Sequence, residues 1–545
     1  MKDKIMTKLK EWGWLFLILF PVSVINYSLL IFGQVFNDSD GTWHGAVSYA
    51  GGWELGEGRW FWPFLDKAKG YLSPDPLASV TALFLFALGF ILVLDLMKVK
   101  SRSAALLSGL VFMTATPVCC SLSYRYMSHV FAIAFLLASL AAYIAFMDVK
   151  PWLAAALSAV CIAFSMGLYQ ADLGATALIM LFLLMLMLFN GEAVKKVLIK
   201  GGQCLISILA GGLLYYLMWQ EELIRHDTEA SSYGGADSVS ISGIFLHLPE
   251  TLFRTVRKFI SYFGNHEVKI SLLPRWIYII LMLIFAGASV WGFIKLLNRN
   301  RAQGIVFLIF TVLIPLFPMC TYMLTYNVSY MSGQMTAPLA LCLSLMICLI
   351  WIYTGEEALA LSQVSGEYSD GDDGEGAKAR DTGSERASGL KRGARIAAVL
   401  ACLFILYGQH LMNQYDMYAM SMGRKSVETI ADNVIDELIT EGLYAPGITY
   451  CFIGSPSDSP LYYKNLIFEE CNNYARYGDW GHVPSDNSKG WQGFFTHVKG
   501  INLKIAYDSD IEEIKDDPAI AAMPVFPAKG SIALMHDMVV IRVGE

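Results

Sequence analysis

Apolar blocks of about twenty residues recur along this chain, and a helix of that length crosses a bilayer with its backbone groups satisfied. The blocks run near 12–33, 77–97, 104–120, 128–147, 151–168, 173–190, 202–219, 276–297, 304–323, 335–353 and 395–412. Of 545 residues, 55% are hydrophobic and only 16% are charged, against about 25% charged in soluble proteins. A mainly α polytopic membrane protein of about eleven transmembrane helices is expected, with a small α/β domain at its C-terminal end. The first block is too long for the apolar core of a removable signal sequence, and no clean small-residue cleavage site follows it. It reads as a retained helix.

Basic residues between the blocks set the orientation. Lys2, Lys4, Lys8 and Lys10 fall on one side, with Lys98, Lys100, Arg102, Lys150, Lys195, Lys196, Lys200, Lys295, Arg299, Arg301 and the run 378–395. The short loops of the other side, 121–127, 169–172 and 324–334, hold a single basic residue, Arg125. The N-terminus is therefore expected in the cytoplasm, and an odd number of spans places the tail outside. Residues 1–412 form the expected membrane domain, with outer loops 34–76 and 220–275, and 413–545 the extracytoplasmic domain. The segment 365–393, rich in Gly, Ser, Asp, Glu and Arg, is expected to be a disordered cytoplasmic linker because it has too little apolar surface to bury.

The tail alternates helical and extended patterns. Val427, Ile430, Val434 and Leu438 share one helical face, and Gly442 supplies a stop. Gly447 to Gly454 reads as a buried strand, and Ser531 to Met535 with Met538 to Val543 as a hairpin turning at His536-Asp537. Nineteen acidic and ten basic residues give 413–545 a net charge of −9. Such a domain is a poor partner for nucleic acid or anionic lipid. The ten cysteines lie mostly within apolar segments and show neither metal-ligand spacing nor a disulfide framework.

Residues able to do chemistry gather at the outer helix ends. Asn37-Asp38-Ser39-Asp40 stands where the first block ends, and carboxylates this close to hydrocarbon invite a functional reading. A loop crowded with Trp43, Trp53, Trp60 and Trp62 follows, with Arg59 inside it. The third block ends at Ser123-Tyr124-Arg125-Tyr126, and the fifth at Tyr169-Gln170-Ala171-Asp172, on the same side. The second outer loop adds a probable amphipathic helix with Arg254, Arg257 and Lys258. Sugar transfer from a polyprenyl phosphate suits this set. Asp38 or Asp40 would take the proton of an acceptor hydroxyl. Arg59, Arg125, Arg254 and Arg257 would hold the leaving phosphate. Trp53, Trp60, Tyr124, Tyr169, Gln170 and Asp172 would contact the sugar and acceptor. A single displacement with one carboxylate base would invert the anomeric centre.

Each residue also has an ordinary structural role open to it. Arg125 can snorkel to lipid headgroups, Tyr169 and Gln170 can bridge helices, the Trp residues can form an interfacial belt, and the basic helix can face headgroups. No cofactor is expected. Two nearby carboxylates can hold a divalent cation through water, but further ligands are not evident.

At these residues the chain resembles the bacterial serotype-converting glucosyltransferases, the Gtr-type glucosyl transferase II family of GT-C membrane enzymes. The resemblance rests on Asn37-Asp38, Trp53 to Gly58-Arg59-Trp60, Thr116-Pro117 with Leu122-Ser123-Tyr124-Arg125, and Leu168-Tyr169-Gln170, and covers roughly 10–410. The family shows adjacent acids after the Asn; here Ser39 intervenes before Asp40, which leaves open which carboxylate is the base. The resemblance implies a glucosyl polyprenyl phosphate donor, made inside by a synthase and brought out by a flippase. It also implies an acceptor such as O-antigen or another surface glycan, with membrane lipids as neighbours. Two other activities would use similar outer groups: transport of lipid-linked sugars, and polymerisation or ligation of glycans. A transporter should carry polar or broken helices at the midplane, and these blocks are nearly free of charge there.

Overall fold

A computed structural model describes residues 2–37, 39–233, 241–324, 330–355 and 376–544. Every expected apolar block is helical: Lys2–Asn26, Leu77–Leu96, Arg102–Met113 with Thr116–Ser123, Ser128–Ala145, Pro151–Met166, Leu173–Phe189, Val194–Arg225, Trp276–Arg299, Arg301–Leu313, Ala337–Thr354 and the start of Gly376–Thr440. Among the described residues, seven helices are long and apolar enough to cross a membrane, or eight if the pair Arg102–Met113 and Thr116–Ser123, bent by 42°, is one span. The expected number of about eleven is not reached by that measure. Pro151 opens its helix and Gly167 closes it after 16 residues, roughly 24 Å at 1.5 Å per residue, short of a hydrocarbon core of about 30 Å. Arg301–Leu316 is likewise apolar but short.

The last helix departs from expectation. Gly376–Thr440 is one helix of 65 residues, so the linker expected to lack structure over 365–393 is helical from Gly376 on; residues 365–375 lie outside the described ones. Ala, Lys, Arg and Glu between Ala377 and Arg386 are strong helix formers and extend the helix that follows. The same helix runs past the expected boundary at 412 into the tail, so no break in secondary structure separates the two parts.

In the tail, Val427, Ile430, Val434 and Leu438 are fully buried along one face of that helix, which ends at Gly442 with φ +70°. Four strands follow: β1 (Thr449–Ile453), β2 (Lys504–Ile505), β3 (Ile532–Met535) and β4 (Met538–Arg542). Their order is β2-β1-β4-β3, with β1 parallel to both neighbours and β3 antiparallel to β4. His536 and Asp537 turn the hairpin at φ 51° and 57°, the pair of positive values a two-residue turn requires.

The tail packs directly on the first outer loop. Phe36 is 1% exposed and belongs to the tail's own apolar core, its ring meeting the edge of Tyr477 at 5.6 Å. Thr42 donates its hydroxyl to Tyr477 Oη at 3.0 Å. The loop 34–76 and the tail therefore stand on one side of the helical bundle. Asp416, wholly buried on the long helix, fastens the arrangement. It accepts the Asn472 N–H at 2.8 Å, the Asn472 amide at 2.9 Å and the Tyr474 hydroxyl at 2.7 Å. Asn472 in turn accepts the Lys269 N–H at 2.8 Å and donates to the Lys269 carbonyl at 3.0 Å. One carboxylate thus ties the last helix, the tail and the second outer loop.

Asp416→Ala leaves those three donors without an acceptor at a cost of about 2–4 kcal/mol. Thermal unfolding of the detergent-purified protein should show a midpoint several degrees lower, with faster proteolysis of the tail. A midpoint equal to wild type would mean the tail is held elsewhere.

Candidate functional site

The first outer loop is shaped by its own backbone. Glu54 Oε2 accepts the Gly51 N–H at 2.7 Å and starts the short helix Gly52–Gly56. Gly58 follows with φ +87°, and a Cβ there would lie 2.1 Å from Tyr215 Oη and 2.7 Å from the Gln170 amide nitrogen. Glycine is required on both counts. The turn returns the Arg59 N–H to the Glu54 carbonyl at 2.9 Å and brings Arg59 Nη2 to 2.6 Å from Glu57 Oε2. Gln170 clamps it by donating to the Glu57 carbonyl and to Tyr215 Oη at 3.1 Å. Trp219 Nε1 donates to the Leu55 carbonyl at 2.7 Å.

Charge is concentrated around this turn. Glu54 and Glu57 are each 7% exposed. Burial pushes the Glu57 carboxyl above the ordinary carboxylate value; Arg59 opposes the shift, while Glu54 and Asp40 add to it. The Arg59 guanidinium lies 5.9 Å from the centre of the Tyr169 ring, and its buried Nε has no hydrogen-bond partner among the described residues. The Tyr126 phenol reports the whole cluster. Burial pushes it well up, Asp40, Glu54 and Glu57 push it further, and Arg59 pulls it back. Its ring stacks on His44 at 3.8 Å, and His44 Nδ1 bonds the Asp40 carbonyl at 2.9 Å. Charges from two loop segments thus act on one phenol at the end of a span.

The residues expected from sequence divide into groups. Asp38 lies outside the described residues. Asp40 is exposed, in the short helix Ser39–Trp43, and its charge reaches Glu57 and Tyr126. Arg59 and Tyr169 join it at the centre, with Gln170 behind them as a clamp on the turn. Tyr124 is half-buried, its ring 6.4 Å from that of Tyr126. Arg125 lies beside the cluster, its guanidinium 4.1 Å from the centre of the Phe36 ring and 4.0 Å from Asp75 Oδ2. Trp53 is 59% exposed.

Trp60 and Asp172 are set apart from solvent. Trp60 is 2% exposed and packs against Phe164 at 5.4 Å and on Gly167, so its ring is occupied by the protein. Asp172 is 3% exposed and precedes the helix Leu173–Phe189.

Arg254 bonds Glu250 at 2.7 Å, and Arg257 is exposed on the same helix, Leu248–Phe263. Tyr330 and Tyr322 join this helix to the Glu54–Arg59 turn. The Tyr330 phenol is pushed up by burial, by Tyr233 and by the charge of Glu57, and the Tyr322 hydroxyl donates to the Tyr330 carbonyl at 2.5 Å. Lys258 Nζ lies 5.8 Å from the Tyr322 ring centre.

Glu54 and Glu57 escape a reading of the sequence that looks for acids at a helix exit. Their signal is the motif Glu54-Leu-Gly-Glu57-Gly58-Arg59, where a glycine between opposite charges lets the two side chains meet. Among the described residues, no group of three or more His, Cys, Asp or Glu is arranged to hold a metal ion. A cavity of about 420 Å³ lies in the tail between Lys504, Tyr507 and His536, away from this cluster.

The sequence model of one family, glucosyl transferase GtrII, matches residues 45–353, more than half of the chain. No curated protein and no solved structure matches significantly. The matched stretch includes the Glu54–Arg59 turn, Tyr126, Tyr169 and Gln170; Asp38 and Asp40 precede it and the tail follows it. The chain belongs to the glucosyl transferase GtrII family, and is a multi-pass membrane protein of the GT-C-like glycosyltransferase kind.

Proposed function

We propose that this protein moves a hexose, glucose by the family's description, from a polyprenyl phosphate to a surface glycan at the outer face of the membrane, with inversion. The observation that carries the reading is the Glu57–Arg59 ion pair, 2.6 Å across, with the guanidinium 5.9 Å from the centre of the Tyr169 ring at the end of an apolar bundle. A cation fixed there suits a lipid-borne sugar phosphate. The same groups would not be needed together to pass a lipid across.

A carboxylate of the segment Asp38–Asp40 takes the proton of the acceptor hydroxyl as that oxygen attacks the anomeric carbon. The bond from that carbon to the phosphate oxygen breaks, and the electron pair leaves with the phosphate. The polyprenyl phosphate carries its own charge away and needs no acid. Arg59 stabilises the growing negative charge with its guanidinium, which Glu57 holds in orientation. Arg125 supplies a second positive charge at the edge. Arg254 and Arg257 stand further out, on a helix whose Phe253 and Ile260 are 71% and 63% exposed, and there they fit lipid headgroups and the incoming donor. Tyr169 and Tyr124 line the sugar side, and Gln170 acts through the turn it clamps.

The outer placement is supported by the basic residues on the opposite side of the bundle and by the tail packing on the first loop. A synthase on the inner face and a flippase would supply the donor. No cofactor is invoked.

Asp38→Asn and Asp40→Asn should separate the roles of the two acids. Purified protein given radiolabelled glucosyl polyprenyl phosphate and a surface glycan should lose transfer by about 10²–10⁴-fold in one variant and far less in the other. If both keep wild-type transfer, the base lies elsewhere. If label crosses vesicles without leaving the lipid, the protein is a flippase.

Glu57 generates a pH dependence. Its carboxyl is raised above the ordinary value near 4.5 and must be ionised to hold Arg59. Transfer should therefore fall as pH drops through that raised value and recover above it. Glu57→Gln should remove the Glu57 share of this acid limb, leaving that of the proton-accepting Asp, and should raise the donor KM. Arg59→Lys, which keeps the charge but loses the fork geometry, should also raise the donor KM. An unaltered acid limb in Glu57→Gln would detach Glu57 from the reaction.

A further inference from the structure

One of the tail's contacts with the first outer loop is made by the helix Pro484–Gly493. Its inner face is fixed. Trp491 is fully buried and stacks on Phe452 at 4.2 Å, and the Asn487 amide donates to the Phe452 carbonyl at 2.7 Å. Gly493 lies so close to the first loop that a Cβ would stand 2.5 Å from the Thr42 carbonyl oxygen and 2.6 Å from Trp43 Cα. The helix cannot rotate or withdraw without breaking this contact.

Its other face carries Asp486 and Lys489, one turn apart and hence neighbours. Lys489 is exposed, and its Nζ lies 5.9 Å from the centre of the Trp53 ring. The Asp486 carboxyl is pushed up by burial and by the charge of Asp40, with Lys489 opposing. Trp53 leans on Tyr233 at 5.7 Å yet keeps 59% of its surface exposed. An exposed, braced indole flanked by an ammonium and carboxylates has the composition that recognises a sugar ring. The apolar ring face packs on sugar C–H groups, and the charged groups bond hydroxyls around it.

We infer that Trp53 from the first outer loop and Lys489 with Asp486 from the tail form a two-domain subsite for a pyranose of the acceptor glycan, next to Asp40. The inference rests on the transferase reading and deepens it. The acceptor is held between the domains, and specificity for the glycan resides partly in the tail, beyond the stretch the family shares. Lys489 and Asp486 are positioning residues, which hold the acceptor while others react.

The test uses the full chain in membranes, radiolabelled glucosyl polyprenyl phosphate, and surface polysaccharide extracted from cells of the same kind from which the protein has been deleted. Trp53→Ala and Lys489→Ala should each raise the acceptor KM by about tenfold or more, with a smaller change in kcat and an unchanged donor KM. Lys489→Arg should recover most of the loss. A structural defect would instead lower kcat and move both KM values, and that pattern would overturn the subsite. So would an acceptor KM that stays at the wild-type value in both Ala variants. If wild-type protein transfers no label to the polysaccharide, the transferase reading itself fails, and the subsite falls with it.

Discussion

An ion pair made across one glycine, its carboxylate buried and its guanidinium half-buried, organises the end of the bundle on which the tail packs. Arg59 stays charged at any ordinary pH, so its burial is tolerated only with a carboxylate at hand, and Glu57 supplies one at 2.6 Å. Burying both groups works against their attraction, which is why the turn is bonded so thoroughly from outside. Gln170, braced by Tyr215, and Trp219 reach it from two elements, the turn Gln170–Asp172 and the helix Val194–Arg225, and fix the backbone ahead of Gly58 through the Glu57 and Leu55 carbonyls. The result is a guanidinium held in place but not saturated, its Nε still without a partner among the described residues. A fixed cation with a free donor is suited to a phosphate that gains charge as it leaves.

The second element of the site is its lid-like neighbour, the tail domain. Phe36 belongs by sequence to the first loop and by packing to the tail, and Gly493 brings the tail helix against Thr42 and Trp43. Asp416 fastens the same domain to the second outer loop through Asn472. On the proposed reading, the donor would be met by the membrane bundle and the acceptor partly by a folded domain, so the two substrates would meet different parts of the chain.

Much of this architecture is legible in the residue pattern. Hydropathy locates every helix of the bundle because lipid demands long apolar runs, and the tail's helix face, first strand and hairpin follow from periods of 3.6 and 2. Span lengths are less legible. The block 151–168 is located to within two residues of its helix, Pro151–Met166, but the 16 residues of that helix are too few to meet the length of a full span. The linker misleads because composition alone does not register Ala377 to Arg386 as helix formers adjoining an existing helix. At the site, Asp40, Arg59 and Tyr169 are visible as unusual polar groups at helix exits. Trp60 looks like a sugar platform because its burial depends on Phe164 and Gly167, a hundred residues away. Lys489 and Asp486 carry no local signal at all, since only the docking of the tail brings them to Trp53.

The central claim is that the leaving phosphate of a lipid-linked sugar sits at the Arg59 guanidinium. A cryo-electron microscopy structure with a non-hydrolysable glucosyl polyprenyl phosphonate addresses it directly. The account predicts phosphonate density within hydrogen-bond distance of Arg59, with the sugar facing Tyr169 and the Asp38–Asp40 segment. Density for the phosphonate at another site, with the Glu57–Arg59 turn unchanged and empty, would contradict it.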